Sequence, residues 1–168
     1  MPIAESMLPE FDHEMSTTRS LLERVPEAQA SWKPHTRSMS MGDLSIHIAR
    51  LVGWTPTIFR DTEFDLHPPG SEPMEFGAFE STAAMVDTFD ANVREAREAI
   101  AGASDADMFV PWSLKKQGTT LFTLPRIANL RSFVLNHVIH HRGQLSVYLR
   151  LNEVPLPSIY GPTADTPW

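Results

Sequence analysis

Four stretches of this chain repeat apolar residues at spacings of three and four, the mark of a helix that buries one face. The first covers about Ile3–Arg24, with Met7, Phe11, Met15, Thr18 and Leu22 as its stripe. Val25-Pro26 ends it, because proline drives its predecessor out of helical backbone. The second opens at Ser40, where Ser40-Met41-Gly42-Asp43 reads as a Ser-x-x-acid start signal. Its stripe is Leu44, His47, Ile48, Leu51, Thr55, Ile58 and Phe59, and Pro56 is a point where it can kink. The third, Ser81–Ala101, carries Met85, Val86, Phe89, Val93, Ala96 and Ile100, with Gly102 fitting a helix stop. The fourth runs from Pro125 to about Leu151, through Ile127, Leu130, Val134, His137, Val138, His141, Leu145 and Tyr148.

Between the second and third helices, residues 60–79 form a long loop rich in proline and glycine, of the kind that serves as a crossover or a lid. Residues 103–124 suggest a small hairpin around Lys115-Lys116-Gln117-Gly118, although neither flank alternates cleanly. The tail, Val154–Trp168, is proline-rich and is expected to wrap the bundle in extended form. The predicted fold is therefore all-α: a four-helix bundle with a long middle loop and an extended C-terminal tail, one domain over residues 1–168. Loop lengths permit either an up-and-down bundle or one with a crossover.

Composition removes several functions. The chain has 168 residues and no cysteine, which excludes disulfides, a cysteine nucleophile, thiolate zinc sites and iron–sulfur clusters. Its net charge of −7 disfavours nucleic acid, whose binding draws on an excess of lysine and arginine. No apolar run approaches the roughly 18 residues of a membrane span. The N-terminus lacks the basic and apolar regions of a secretory signal, so a cytoplasmic location is the expectation.

Three of the seven histidines lie on apolar stripes. His137 and His141, four residues apart, share one face of a helix and stand one turn apart, close enough to converge on one ion. His47 occupies the same kind of position on the second helix, between Leu44 and Leu51. If the two stripes face each other, the three rings make a site suited to zinc, nickel, copper or iron. Three protein ligands with an open position is the catalytic rather than the structural form of a zinc site. The alternative is three packing residues that only hydrogen-bond, since an unpaired buried nitrogen costs about 1–3 kcal/mol. His140 points about 100° off the ligand face and reads as a surface residue. His13, His35 and His67 read as solvated, the last two being remote candidates for a site mouth. Asp43, one turn before His47, can orient its ring or serve the helix dipole. Gln144 and Asn136 flank the pair. Gly143, unfavourable mid-helix, suggests close approach by another backbone or a partner subunit. Trp32, Trp54, Trp112 and Tyr160 read as packing residues.

Three strings resemble a known family. Ser40–His47 is similar to the S-x-x-E-L-x-x-H helix of the DinB/YfiT-like family, with Asp43 in place of the common glutamate. His137-Val138-Ile139-His140-His141-Arg142-Gly143-Gln144 resembles its H-x-x-H-H-R-G-Q helix, and Pro157-Ser158-Ile159-Tyr160-Gly161 its P-x-x-Y-G tail. The resemblance implies a four-helix bundle holding a divalent metal, often nickel or zinc, on His47, His137 and His141, and frequent homodimers. Relatives of this type include thiol-dependent S-transferases and a mycothiol-dependent isomerase.

The expected function is metal-dependent transfer of a low-molecular-weight thiol to a small electrophile. The absence of cysteine fits, since the sulfur must come from outside. Hydrolysis by metal-bound water is an alternative, weakened by the lack of a positioned carboxylate base on the metal-binding helix. A non-catalytic metal-binding or structural module is another. The expected partners are a small-molecule substrate and a second copy of the chain, with neither nucleic acid nor membrane.

Overall fold

The structure, a computed structural model, describes residues 1–72, 74 and 77–167. The parts of the loop and tail readings that fall on Pro73, Glu75, Phe76 and Trp168 lie outside the described residues. Helices α1 (Ile3–Leu22), α2 (Met41–Leu51), α3 (Trp54–Arg60) and α4 (Thr82–Ala101) come first, with strand β1 (Glu63–Asp65) between α3 and α4. A one-turn helix α5 (Asp105–Met108) leads into strands β2 (Pro111–Lys116) and β3 (Thr119–Pro125). A continuous helical run then comprises α6 (Arg126–Asn129), a π-helical segment (Leu130–Leu135) and α7 (Asn136–Leu151).

The predicted stripes form the core. Met7, Phe11, Met15, Leu22, Leu44, Ile48, Leu51, Phe89, Ile100, Leu130, Val134, Val138 and Leu145 are all buried. Both α1 and α2 pack against α4 and against α7. The order around the bundle is therefore α1–α4–α2–α7. Cross-bonds give the directions. Along α1 and α4, Val25 meets Thr82, Arg19 meets Asp90 and Asp12 meets Arg97, so these two run antiparallel. Glu10 meets Arg131 and Glu14 meets Arg142, so α1 and α7 run parallel. Trp32 packs on Tyr148 and Trp54 on Phe133, so α2 opposes α7. Gly42 lies against Phe79 and Ala49 accepts a bond from Asn92, so α2 and α4 run parallel. Consecutive long helices that run parallel need a connection spanning the bundle. That is why the middle loop is long, and it decides for a crossover topology.

The all-α expectation is corrected: the described chain contains a three-stranded mixed sheet, ordered β1-β2-β3. β2 and β3 form the suggested hairpin, antiparallel with an irregularity at Leu114/Lys115. Gln117 and Gly118 both have positive φ (52° and 75°), the two-residue type I′ turn whose twist matches paired strands. β1 pairs parallel with β2, Phe64 opposite Leu114, with α4 as the intervening crossover. Asp65 ends β1 and its carboxylate accepts the N–H groups of His67, Gln117 and Gly118. Burial alone would raise its pKa; these three bonds outweigh it and hold the carboxyl below its ordinary range. A three-residue strand pairing with residues about fifty positions away leaves no local periodicity, so the loop hid it.

The second helix is also two helices. Pro56 has no N–H to offer the carbonyl of Val52, and the chain breaks at Val52-Gly53 before resuming as α3. Ser40 caps α2, accepting from the Asp43 amide at 3.1 Å. Gly102 ends α4 with φ −80°, so it is not the left-handed stop that the sequence suggested.

Candidate metal centre

The bundle brings His47, on α2, to His137 and His141, on α7. Ring centroids are 5.3 Å apart for His47–His137, and 4.7 Å for both His47–His141 and His137–His141. One nitrogen from each ring lies within 4.8 Å of the others. Two imidazoles on one zinc, at 2.0–2.1 Å each, can be at most about 4.2 Å apart, so a small inward rotation completes a coordination sphere. Each ring is half-buried.

The free nitrogens suit an ion. His137 Nδ1 lies 3.3 Å from the carbonyl of Phe133, one turn earlier, and His141 Nδ1 lies 2.7 Å from Gln144 Oε1. Both partners are acceptors, so each Nδ1 carries the proton and donates, and each Nε2 keeps its lone pair for the centre. His47 has no hydrogen bond among the described residues. Burial, then the neighbouring rings of His141 and His137, push the His47 pKa down to about 4. Burial also lowers that of His137, where the His141 ring adds to it and the Phe133 carbonyl opposes it. The same holds for His141, where Gln144 opposes and His140 adds. Three imidazoles that stay neutral at pH 7 are the form that binds a divalent cation.

The other sequence candidates fall elsewhere. His140 is exposed, as expected, but accepts from Gln144 Nε2 at 3.2 Å, so one amide joins His141 to His140. Asp43 is exposed and makes no hydrogen bond to the His47 ring; it sits in the first turn of α2. Asn136 is exposed, as are His13 and His35. His67 Nε2 bonds the carbonyl of Ser71, within the crossover. Phe133 and Leu149 face inward: Leu149 is fully buried and Phe133 packs on Trp54, Trp112, Phe122 and His137. No described side chain within the chain approaches Gly143; a Cβ there would meet open space.

Sequence reasoning missed a buried ionic cluster behind the site. Arg142, next to His141, points the other way, toward α1. It is 1% exposed, 2.7 Å from Glu14 and 2.6 Å from the Tyr160 hydroxyl. That hydroxyl donates to Glu14 at 2.9 Å, and Arg142 also donates to Thr18 Oγ1. Burial, then the Glu14 bond, raises the Tyr160 pKa. The available signal was Arg142 and Glu14 themselves, since both fall within the turns that carry apolar stripes. A cleft of about 380 Å³ also opens beside α2 and α3, lined by Arg50, Gly53, Trp54, Thr57, Phe64, Met74, Thr88 and Asn92 but by none of the three histidines.

No protein of curated function is significantly similar to this chain. Two crystal structures share its fold, each with a TM-score of 0.67. A DinB-like protein from Bacillus cereus is 18% identical, covering 95% of this chain and 98% of its own. A DinB-like protein from Bacillus subtilis is 19% identical, covering 92% and 97%. The sequence model of the DinB superfamily matches residues 10–145, most of the 168 residues. With the bundle, the crossover and the facing histidines already in place, that match makes the chain a member of the DinB superfamily.

Proposed function

We propose that the protein is a metal-dependent enzyme that transfers a low-molecular-weight thiol to a small electrophilic substrate. The observation that carries the reading is the donor set: three neutral, half-buried imidazoles converging from two helices, with no fourth described ligand among them. A divalent ion held there, nickel or zinc, would supply the Lewis acidity that makes a thiol ionise near neutral pH. His47, His137 and His141 hold the centre, while Gln144 and the Phe133 carbonyl fix which nitrogen faces it. The chain has no sulfur nucleophile of its own, which supports an external thiol. The exposure of Asp43, away from the rings, supports transfer over hydrolysis, which wants a positioned base. A reduced thiol pool is an intracellular resource, so a cytoplasmic location belongs to the same proposal, as does a small-molecule partner in place of nucleic acid. Among the described residues no helix is long and apolar enough to cross a membrane.

The test uses protein purified without a polyhistidine tag. Elemental analysis should find one equivalent of a divalent metal in the wild type and none in His137→Ala or His141→Ala. The metal-loaded protein should consume chlorodinitrobenzene with glutathione or cysteine. The C–S bond forms as the C–Cl bond breaks, chloride departs and the thiol proton passes to buffer. A chelator should stop the reaction. A full equivalent of metal in either variant would overturn the ligand set; a chelator-insensitive rate would overturn the chemistry.

A further inference from the structure

The guanidinium of Arg142 joins three segments of the chain. Its Nη1 donates to the Glu14 carbonyl at 3.1 Å and to Thr18 Oγ1 at 3.2 Å, both on α1. Its Nη2 donates to the Tyr160 hydroxyl at 2.6 Å and lies 2.7 Å from a Glu14 carboxylate oxygen. Both hydroxyls extend the network. Tyr160 donates to the Glu14 carboxylate at 2.9 Å, and Thr18 donates to the Glu14 carbonyl at 2.7 Å. The guanidinium carbon also stands 5.1 Å from the centroid of the Tyr160 ring. Tyr160 comes in on a tail that is itself fixed to α7, since Asp165 pairs with Arg150 and accepts the Leu156 N–H.

Stability does not account for a buried ion pair, because well-packed apolar residues of similar volume are often as good or better. A planar fork on several fixed acceptors does give one position and one rotation. Position matters here because Arg142 directly follows His141. The two side chains leave α7 about 100° apart, one toward α1 and one toward α2. The ligand nitrogens of the three histidines lie within 4.8 Å of one another. Two imidazoles on one zinc span at most about 4.2 Å, so about 0.6 Å remains to close. Packed helices shift by about 1–2 Å when nothing pins them, which is more than the centre tolerates. We infer that Glu14, Arg142 and Tyr160 are positioning residues of the histidine centre: their bonds fix the rotation and register of α7 against α1, and so hold His137 and His141 within reach of His47. The inference rests on the metal-binding part of the proposed function and is independent of thiol transfer.

The test uses the full chain without a polyhistidine tag. Zinc affinity is read by competition against a chromophoric chelator, and cobalt(II) gives an absorption band that reports ligand geometry. A cluster that only stabilised the fold would leave both readouts unchanged in any variant that urea melts show to be folded under assay conditions. Tyr160→Phe keeps the ion pair and the ring and loses only the hydroxyl bonds; its zinc affinity should fall by about tenfold. Glu14→Leu combined with Arg142→Leu keeps the core filled, and should bind about 100-fold more weakly with a changed cobalt band. Arg142→Lys, a point charge in place of the fork, should fall between wild type and that double variant. Ile100→Val is the control, a buried position on α4, which packs on α1 and α2. It should be less stable, with affinity and band unchanged. Wild-type affinity and band in Tyr160→Phe or in the double variant would overturn the inference, as would an equal loss in Ile100→Val. Tyr160→Phe decides alone if the double variant does not fold. A wild type that takes up no zinc would remove the centre together with this inference; a wild type that binds, with variants that bind equally well, would remove this inference alone.

Discussion

At the scale of single residues, Gln144 is the least conspicuous part of the centre. Its amide oxygen holds His141 Nδ1–H at 2.7 Å and so sets which nitrogen faces the other rings. Gln144→Leu should leave the fold intact and weaken metal affinity by about 10–100-fold, the usual effect of losing a ligand's supporting bond. Competition against a chromophoric chelator reads this directly, and an unchanged affinity would deny Gln144 the role. His47 carries a pH prediction for the metal-free protein. Its pKa is pushed down to about 4 by burial, then by His141 and His137. Below its ordinary pKa of about 6.5 the unfolded chain takes up a proton on this ring, whereas the folded ring does not until about 4. Stability present above about pH 6.5 is therefore lost as pH falls toward 4. Urea melts at pH 7 and pH 5 should differ by less in His47→Gln than in the wild type; equal differences would count against the assignment. The stripe positions of His47, His137 and His141 were legible because helical spacing is local. The bond to Gln144 was legible only as a possibility, because i to i+3 neighbours meet in one rotamer and not in others.

At the scale of elements, α7 works on two faces. One turns His137 and His141 to α2; the other turns Arg142 to Glu14 of α1 and to Tyr160 of the tail. The ion pair is nearly dry, with side chains 2% and 10% exposed. Arg142→Leu leaves the Glu14 carboxylate buried without its cation and should cost about 3–5 kcal/mol. Adding Glu14→Leu should recover much of that loss, because both desolvated charges are then gone. Chemical denaturation measures both; a double variant no more stable than Arg142→Leu alone would mean that the cluster acts through packing. Such a clasp also ties the C-terminal segment to the helix that carries two of the three facing histidines. The sequence pattern shows helices α1, α4 and α7 nearly to their ends, but not the π-helical segment at Leu130–Leu135, which neither proline nor glycine marks. Nor does it show β1, whose partner is distant in the chain.

At the scale of the whole molecule, the exposed face of α7 leaves Val147 and Leu151 in solvent, at 56% and 59% exposure, beside the uncrowded Gly143. On this exposed apolar pair we propose a second copy of the chain as partner, packed helix on helix across Gly143. Sedimentation should then give twice the 18.9 kDa chain mass, and Val147→Glu with Leu151→Glu should reduce it to one chain with the metal equivalent unchanged. A monomeric wild type would dispose of the proposal. The parallel run of α2 and α4 is the other whole-molecule feature. It forces residues 61–81 to span the bundle, and in doing so lays β1 beside β2 and Gly77 against Arg50.

Four amphipathic helices, the face that each buries and the candidate ligands His47, His137 and His141 follow from residue order alone, because a turn of helix relates residues only three or four apart. The direction of α2 relative to α4, the sheet, the Glu14–Arg142–Tyr160 cluster and the Arg50 cleft were decided in three dimensions. Each depends on residues tens of positions apart, and which of those meet is set by how the buried faces pack, for which a chain read in order carries no period.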